Sequence, residues 1–339
     1  MPLRVGVIGA GDMGRTHALA YRGIPGAQVV TVCDLDGEAA KRVAAQVDAE
    51  WTHDYAAVLA RSDVDAVSVC LPDHLHRDAT VAAAGAGKHI LLEKPLATSI
   101  ADGLAIVEAT AAAGVTFMVG HTLRFDPRYY LARQAIEAGQ VGTIQTMYAR
   151  RMGRRSRHLR AAQRTNLPFF LGIHDFDVLR WFAGGEVERV MAHGRRGYFA
   201  AQGFDADDAM SAVLEFANGA VATVDLAWNL PEHITGFHFR ADVIGDKGTI
   251  SISHADHGLT ISTDERLATP DTAFGPVLYG AVAGIMRTEL EHFVQCILTG
   301  ATPAISPTDA LEAVRIAVAV DIAARSGDAV RLGTLRSDK

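Results

Sequence analysis

The chain has 339 residues, 49% hydrophobic and 21% charged, long enough for two domains at roughly 100–200 residues each and for a large core without staples. Its formal net charge of −7 argues against nucleic acid as the main partner, which needs a basic surface, and no run of about 18 apolar residues offers a membrane span. Cys33, Cys70 and Cys296 are widely spaced and read as buried free thiols, so neither a metal site nor a disulfide framework is expected.

The chain opens directly into a strand without a basic and apolar leader, from which a cytoplasmic location is expected. Arg4–Ile8 reads as a buried strand, followed by a glycine turn and a helix over Met13–Tyr21. Ala27–Cys33 is a second strand, Gly37–Ala45 a helix, Ala66–Cys70 a strand and Arg77–Ala86 a helix. His89–Leu92, Ile100–Ala113 and Thr116–Val119 continue the strand–helix–strand rhythm. This alternation predicts an α/β domain, a doubly wound parallel sheet covered on both faces.

Near Gly120 the rhythm changes. Pro127–Ala138 reads as a helix with proline in its first turn. Strand-like runs follow at Thr143–Arg151, Val187–Gly194, Ala209–Phe216, Ala220–Ala227, Phe237–Ile244, Thr249–His254 and Leu259–Thr263. Turns such as Asn218-Gly219 and Asp246-Lys247-Gly248 separate some of them. The pattern predicts a mostly antiparallel sheet in a second α/β domain. Helices over Ala281–Thr299 and Pro307–Arg325 close the chain. The expected division is residues 1–121 for the first domain and 122–339 for the second.

Gly9, Gly11 and Gly14 fit G-x-G-x-x-G between a strand and a helix, with Asp12 and Met13 inside the turn. The first glycine permits the tight turn, the second lets backbone approach a pyrophosphate, and the third lets helix pack on strand. The helix start supplies unpaired N–H groups and a positive dipole end. Asp34, 20 residues past Gly14, ends the second strand, where a carboxylate binds ribose hydroxyls. It repels a 2′-phosphate, so NAD is favoured over NADP.

Glu93-Lys94-Pro95 follows the strand His89–Leu92, at the carboxyl edge where ligands of such sheets bind. A partly desolvated lysine there can accept a proton; by position alone it reads equally as a surface salt bridge. His174 precedes the apolar Val178–Phe182, with Asp175 or Asp177 as a helix cap. By position it serves proton shuttling or is a hydrogen-bonded structural histidine.

Together, Gly9–Gly14, Leu71-Pro72 with His76, Gly87-Lys88-His89 leading to Glu93-Lys94-Pro95, Arg124-Phe125 with Pro127, and Gly172-Ile173-His174-Asp175 resemble the glucose–fructose oxidoreductase / inositol dehydrogenase / rhizopine-catabolism (Gfo/Idh/MocA) family. The resemblance covers nearly the whole chain. It implies an N-terminal Rossmann domain and a C-terminal α/β domain whose large open sheet serves as an oligomer interface, giving a homodimer or homotetramer. It implies that Lys94 is the catalytic lysine and that His174 contacts the reacting hydroxyl. His121 and Arg124 then lie near the nicotinamide or substrate, and Leu71, Pro72, His76 and Glu93 border the cofactor.

One departure stands out. Many inositol dehydrogenase-like members carry aspartate four residues before the histidine, where this chain has Phe170. Phenylalanine neither relays a proton nor accepts a hydroxyl hydrogen bond. Asp73 also replaces the usual asparagine.

The expected activity is NAD-dependent hydride transfer at a ring-carbon hydroxyl of a sugar or cyclitol. The alternatives are an NAD-dependent glycosidase working through transient oxidation and a non-catalytic NAD-binding regulator. Arg150, Arg151, Arg154, Arg155, Arg157, Arg160 and Arg164 crowd one segment, read as a solvated loop or subunit contact, or as a lid or anion contact for a sugar acid or phosphate. Arg151, Asn166, Phe170 and Tyr279 join Lys94, Arg124 and His174 as substrate-site candidates, with Trp228, His233 and His254 as further guesses.

Overall fold

The computed structural model describes residues 1–232, 238–253, 259, 261–263, 265 and 267–335. His233, Phe237 and His254 lie outside them. The chain forms two compact units, Met1–Phe125 with Asp271–Leu311, and Asp126–Pro270 with Glu312–Lys339. The boundary expected near residue 121 thus falls at Phe125. The expectation that everything beyond it forms one domain is corrected, because Asp271–Leu311 returns to the first unit.

The first unit opens with β1 (Leu3–Ile8), α1 (Asp12–Tyr21), β2 (Ala27–Cys33), α2 (Gly37–Ala44), β3 (Glu50–Thr52), α3 (Tyr55–Leu59), β4 (Ala66–Val69), α4 (His76–Gly85), β5 (His89–Leu92), α5 (Ile100–Ala113) and β6 (Phe117–Val119). The six strands form a parallel sheet in the order β3-β2-β1-β4-β5-β6. Its central strands are buried on both faces, as their continuous β-branched and apolar runs require. Asp36, Asp54 and Ser99 cap α2, α3 and α5 through their side chains, whereas α1 starts at Gly11 with no side-chain cap.

The second unit begins with α6 (Pro127–Glu137), capped by Asp126, then β7 (Ile144–Arg154), α7 (Arg155–Ala162), α8 (Ile173–Ala183), β8 (Val187–Arg195), β9 (Ala209–Phe216), β10 (Val221–Leu230), β11 (His238–Gly245), β12 (Thr249–Ser253), and the short strands β13 (Ile261–Ser262) and β14 (Leu267–Ala268). The segment that returns to the first unit carries a hairpin of β15 (Val277–Leu278) and β16 (Ala281–Val282) and the helix α9 (Gly284–Thr299); α10 (Pro307–Ser326) runs across the division at Leu311, and β17 (Val330–Arg331) belongs to the second unit. The large sheet runs β12-β11-β7-β10-β9-β8-β17. It is antiparallel except for the β7–β10 pair, which is parallel. In β8, β9 and β10 buried and more exposed residues alternate, so one face packs on the unit's core and the other stays open.

Three local expectations differ from the structure. The arginine-rich stretch is the end of β7 and the helix α7 rather than a loop. The helix bearing His174 starts at Ile173, directly after a π-turn over Pro168–Gly172, so Asp175 and Asp177 are buried within it instead of capping it. The helix expected from Ala281 starts at Gly284, because a hairpin precedes it. No described helix is long and apolar enough to cross a membrane.

Candidate active site

In the first unit every strand of the parallel sheet bar β3 hands a predicted residue to the same edge. Gly9 and Gly11 follow β1, Asp34 follows β2, Leu71 and Pro72 follow β4, Glu93 and Lys94 follow β5, and His121 follows β6. The strand order reverses between β1 and β4, which is where open parallel sheets bind ligands.

The glycine turn fits a dinucleotide. Gly9 sits at φ +100, and a Cβ there would lie 2.3 Å from the Cys70 carbonyl oxygen. A Cβ on Gly14 would lie 1.7 Å from the Gly9 carbonyl oxygen, while one on Gly11 would meet nothing within 4 Å. Two glycines therefore serve close packing, and the third keeps open the space over an uncapped helix start. Asp12 is exposed and Met13 half-buried beside it. The Asp34 carboxylate accepts from the Ala10 amide at 2.6 Å and the Asp36 amide at 2.9 Å, which fixes it at the rim of the turn. Leu35 next to it is 89% exposed.

Lys94 is half-buried, and its amide donates to Glu93 Oε2 at 3.2 Å. Glu93 Oε1 lies 3.0 Å from His17 Nε2. His17 Nδ1 lies 3.2 Å from Ser68 Oγ, which is 2.9 Å from the Tyr21 hydroxyl. Burial alone would raise the Glu93 carboxyl; the His17 contact and the nearby Lys94 outweigh it and hold it below the ordinary range.

His76 is buried, with Nδ1 at 2.7 Å from the Pro95 carbonyl oxygen and Nε2 at 2.9 Å from that of Leu71. Both ring nitrogens thus face backbone carbonyls. Arg124 is also buried; its Nη1 donates to the Ala304 carbonyl at 3.2 Å and meets Asp309 Oδ2 at 3.3 Å. Those contacts give it a structural share that the sequence did not announce. Tyr279, expected to line the substrate site, stands fully exposed at the β15–β16 turn with φ +52.

In the second unit His174 is half-buried at the second position of α8. Phe170, one turn earlier, joins an aromatic group. Its ring centroid is 5.7 Å from that of His158 and 6.1 Å from that of Trp228, whose indole donates to the Asp207 carbonyl. Arg151 is buried and spends Nε and Nη2 on the two Asp175 oxygens at 2.8 and 3.0 Å, under the Phe239 ring. Burial pushes the Asp175 carboxyl up, and Arg151 pulls it part of the way back. Asn166 donates to Asp321 at 2.7 Å and accepts from the Phe169 amide at 3.3 Å. Arg151 and Asn166, expected to meet substrate, are held within their own unit.

The sequence reading missed His17, Ser68, Tyr21 and Glu289. Glu289 in α9 is fully buried, and neither carboxyl oxygen has a hydrogen-bond partner among the described residues. Burial, then the charge of Glu93, push it well above the ordinary carboxylate range. A signal existed: Ile285, Glu289 and Phe293 are spaced by four on one buried helix face. Among the described residues no group of three or more His, Cys, Asp or Glu is placed to hold a metal ion.

Residues 3–121 match the family described as an oxidoreductase family with an NAD-binding Rossmann fold, and residues 129–251 match the GFO/IDH/MocA C-terminal domain. Among curated proteins the chain is 31% identical to a scyllo-inositol 2-dehydrogenase (NAD(+)) of Bacillus subtilis, over 99% of this chain and 98% of that one. It is 30% identical to a D-apiose dehydrogenase of Paraburkholderia graminis, over 98% of this chain and 90% of that one. It shares its fold with the crystal structure of a scyllo-inositol dehydrogenase from Lactobacillus casei with bound NAD(H) and scyllo-inositol, with a TM-score of 0.85, 23% identity, and coverage of 98% of this chain and 100% of that one. With the glycine turn, the strand-edge aspartate and both matched domains in place, the chain belongs to the Gfo/Idh/MocA family of NAD-binding oxidoreductases.

Proposed function

We propose that this oxidoreductase removes hydride from a ring-carbon hydroxyl of a cyclitol or sugar, using NAD. The reading is carried by one observation: Lys94 stands on the same sheet edge as an uncapped glycine turn with open space at Gly11. Gly9, Gly11, Gly14 and the α1 amides would hold the pyrophosphate, and Asp34 the adenosine ribose. Bound NAD supplies the hydride acceptor. Lys94 takes the hydroxyl proton, and His174 holds the hydroxyl oxygen as the family resemblance implies. Phe170 accepts no hydroxyl hydrogen bond, so the polar contact that an aspartate would make at this position is missing. The two inositol- and apiose-acting relatives support the polyol class.

The assembly is read as a homodimer or homotetramer through the open face of the large sheet, and the place of action as the cytoplasm. Three buried or half-buried free thiols support the latter, and cell fractionation checks it.

The deciding experiment is NAD reduction, followed at the nicotinamide absorbance, over inositols, aldoses, sugar acids and their phosphates. At least one ring polyol is expected to yield NADH continuously, and Lys94→Ala to lower kcat about a hundredfold or more, within the usual 10²–10⁴ of acid–base catalysis. A glycosidase would release product without accumulating NADH. A purified protein with no NAD affinity, or a Lys94→Ala variant of near-normal rate at saturating substrate, removes the proposal.

A further inference from the structure

Three polar anchors converge on the backbone around Lys94. The residue before it, Glu93, is gripped by His17 and itself accepts the Lys94 amide. The residue after it, Pro95, offers its carbonyl to His76. Both imidazoles are buried, at 0% and 1% exposure.

One hydrogen assignment uses every group of the first anchor. A carboxylate only accepts, so His17 Nε2 donates to Glu93. Nδ1 then accepts from the Ser68 hydroxyl, and the Tyr21 hydroxyl donates to Ser68. This directed chain joins α1, β4 and the end of β5. His17 lies on the same helix whose start cradles the glycine turn, so one ring ties the dinucleotide-binding turn to the lysine segment. His76 stands between the Leu71 carbonyl, after β4, and the Pro95 carbonyl; a neutral ring donates to only one of them, and the shorter contact, 2.7 Å, assigns the N–H to Nδ1 and the bond to Pro95.

Burying this many polar groups costs free energy that apolar side chains of the same volume would not. Cooperative polar networks fix a unique geometry in return. Proton transfer is sensitive to such geometry: a misplacement of about 1 Å can cost on the order of a hundredfold.

We propose that His17 and His76 are positioning residues for Lys94, acting through Glu93 and Pro95 on the backbone either side of it. The inference deepens the dehydrogenase reading and rests on it for the role of Lys94.

The test exploits side-chain length. Glutamine places its amide nitrogen near a histidine Nε2, and asparagine near Nδ1. His17→Gln keeps the link to Glu93, whereas His17→Asn keeps only the link to Ser68. His76→Asn keeps the link to Pro95, whereas His76→Gln places its amide by the Leu71 carbonyl and loses Pro95. In the NAD-loaded full chain, with the polyol found by the screen saturating, kcat is expected to fall about tenfold or more further in the Asn than in the Gln variant at position 17, and in the Gln than in the Asn variant at position 76. KM for NAD and melting temperature should stay similar within each pair. Equal kcat within both pairs overturns the proposal.

A second readout needs no substrate. Competitive acetylation compares Lys94 with the exposed Lys41 by mass spectrometry. His17→Asn and His76→Gln are expected to change the ratio about threefold or more, while their partner variants stay within about twofold of the parent, a scale at which roughly 0.7 kcal/mol is resolved. Identical labelling in all four variants overturns the positioning role even if no polyol is ever turned over. A clear split in labelling together with an inactive parent would instead discard the dehydrogenase reading and keep the clamp.

Discussion

Glu289 shows how a single buried group marks the chemistry around it. Its carboxyl sits in the first unit within electrostatic reach of the Glu93 carboxylate, the Tyr21 hydroxyl and Cys70. Because its pKa is raised on folding, its contribution to stability is complete below the unfolded value of about 4.3 and is lost as pH climbs towards the folded value. Glu289→Gln removes that proton linkage and leaves the opposite one of Glu93 in place. The melting temperature of Glu289→Gln relative to the parent is therefore expected to rise between about pH 5 and pH 8; a constant difference across that interval, measured by calorimetry, contradicts a raised pKa. Lys94, Asp34 and the three glycines were legible in the sequence because strand ends and turn geometry limit what can stand there. His17 was not, since a histidine three residues past Gly14 looks the same whether it faces solvent or a carboxylate. His76, Arg151 and Asn166, candidates for ligand contact, also have internal partners, backbone carbonyls or a neighbouring acid, that the sequence did not announce. Residue type alone does not tell a ligand contact from an internal one.

At the scale of elements, α1 concentrates the sequence-to-function link. Gly14 and Gly11 differ in what a methyl group would meet, so the same substitution should fail in two different ways. Gly14→Ala drives a Cβ against backbone and is expected to cost about 1–3 kcal/mol of stability. Gly11→Ala meets open space; it should leave the melting temperature as it is and weaken NAD binding about tenfold, roughly 1.4 kcal/mol. Calorimetry and NAD titration separate the two, and equal stability loss in both would refute the division of labour. The elements that fell on their expected residues, such as β2, β5, α5 and β9, have punctuated ends: Ser99 caps α5 and Gly114 closes it in the left-handed region. Others carried no punctuation. The arginines of α7 leave too little apolar stripe to announce a helix. The π-turn over Pro168–Gly172 moved the start of α8 back from the aspartates that looked like caps. The Tyr279-Gly280 turn lacks the Asn-Gly or Asp-Gly signature of a hairpin.

At the scale of the whole molecule, the open face of the second unit's sheet exposes Met191 at 39% and Ile244 at 45% in the single chain. A homo-oligomer through that face is expected to show at least twice the chain mass of 36.1 kDa by light scattering. Met191→Glu together with Ile244→Glu should shift it towards monomer, because charge at an interface core is disfavoured. A parent of single-chain mass sinks the assembly reading. The sheet itself was legible from its alternating runs, but the discontinuity of the first unit was not, because no local signal tells a late helix which earlier core it completes. Ile285, Met286, Leu290, Phe293 and Val294 of α9 are buried, and α9 packs on α1. That arrangement has a consequence during synthesis. When residue 125 leaves the ribosome, all six parallel strands exist but the α9 segment that covers α1 does not. It arrives after residue 270, and the unit is complete only at residue 311. At about 5–20 residues per second the wait is on the order of ten to forty seconds. Throughout it the flank of α1 that α9 will cover stays bare on the nascent chain.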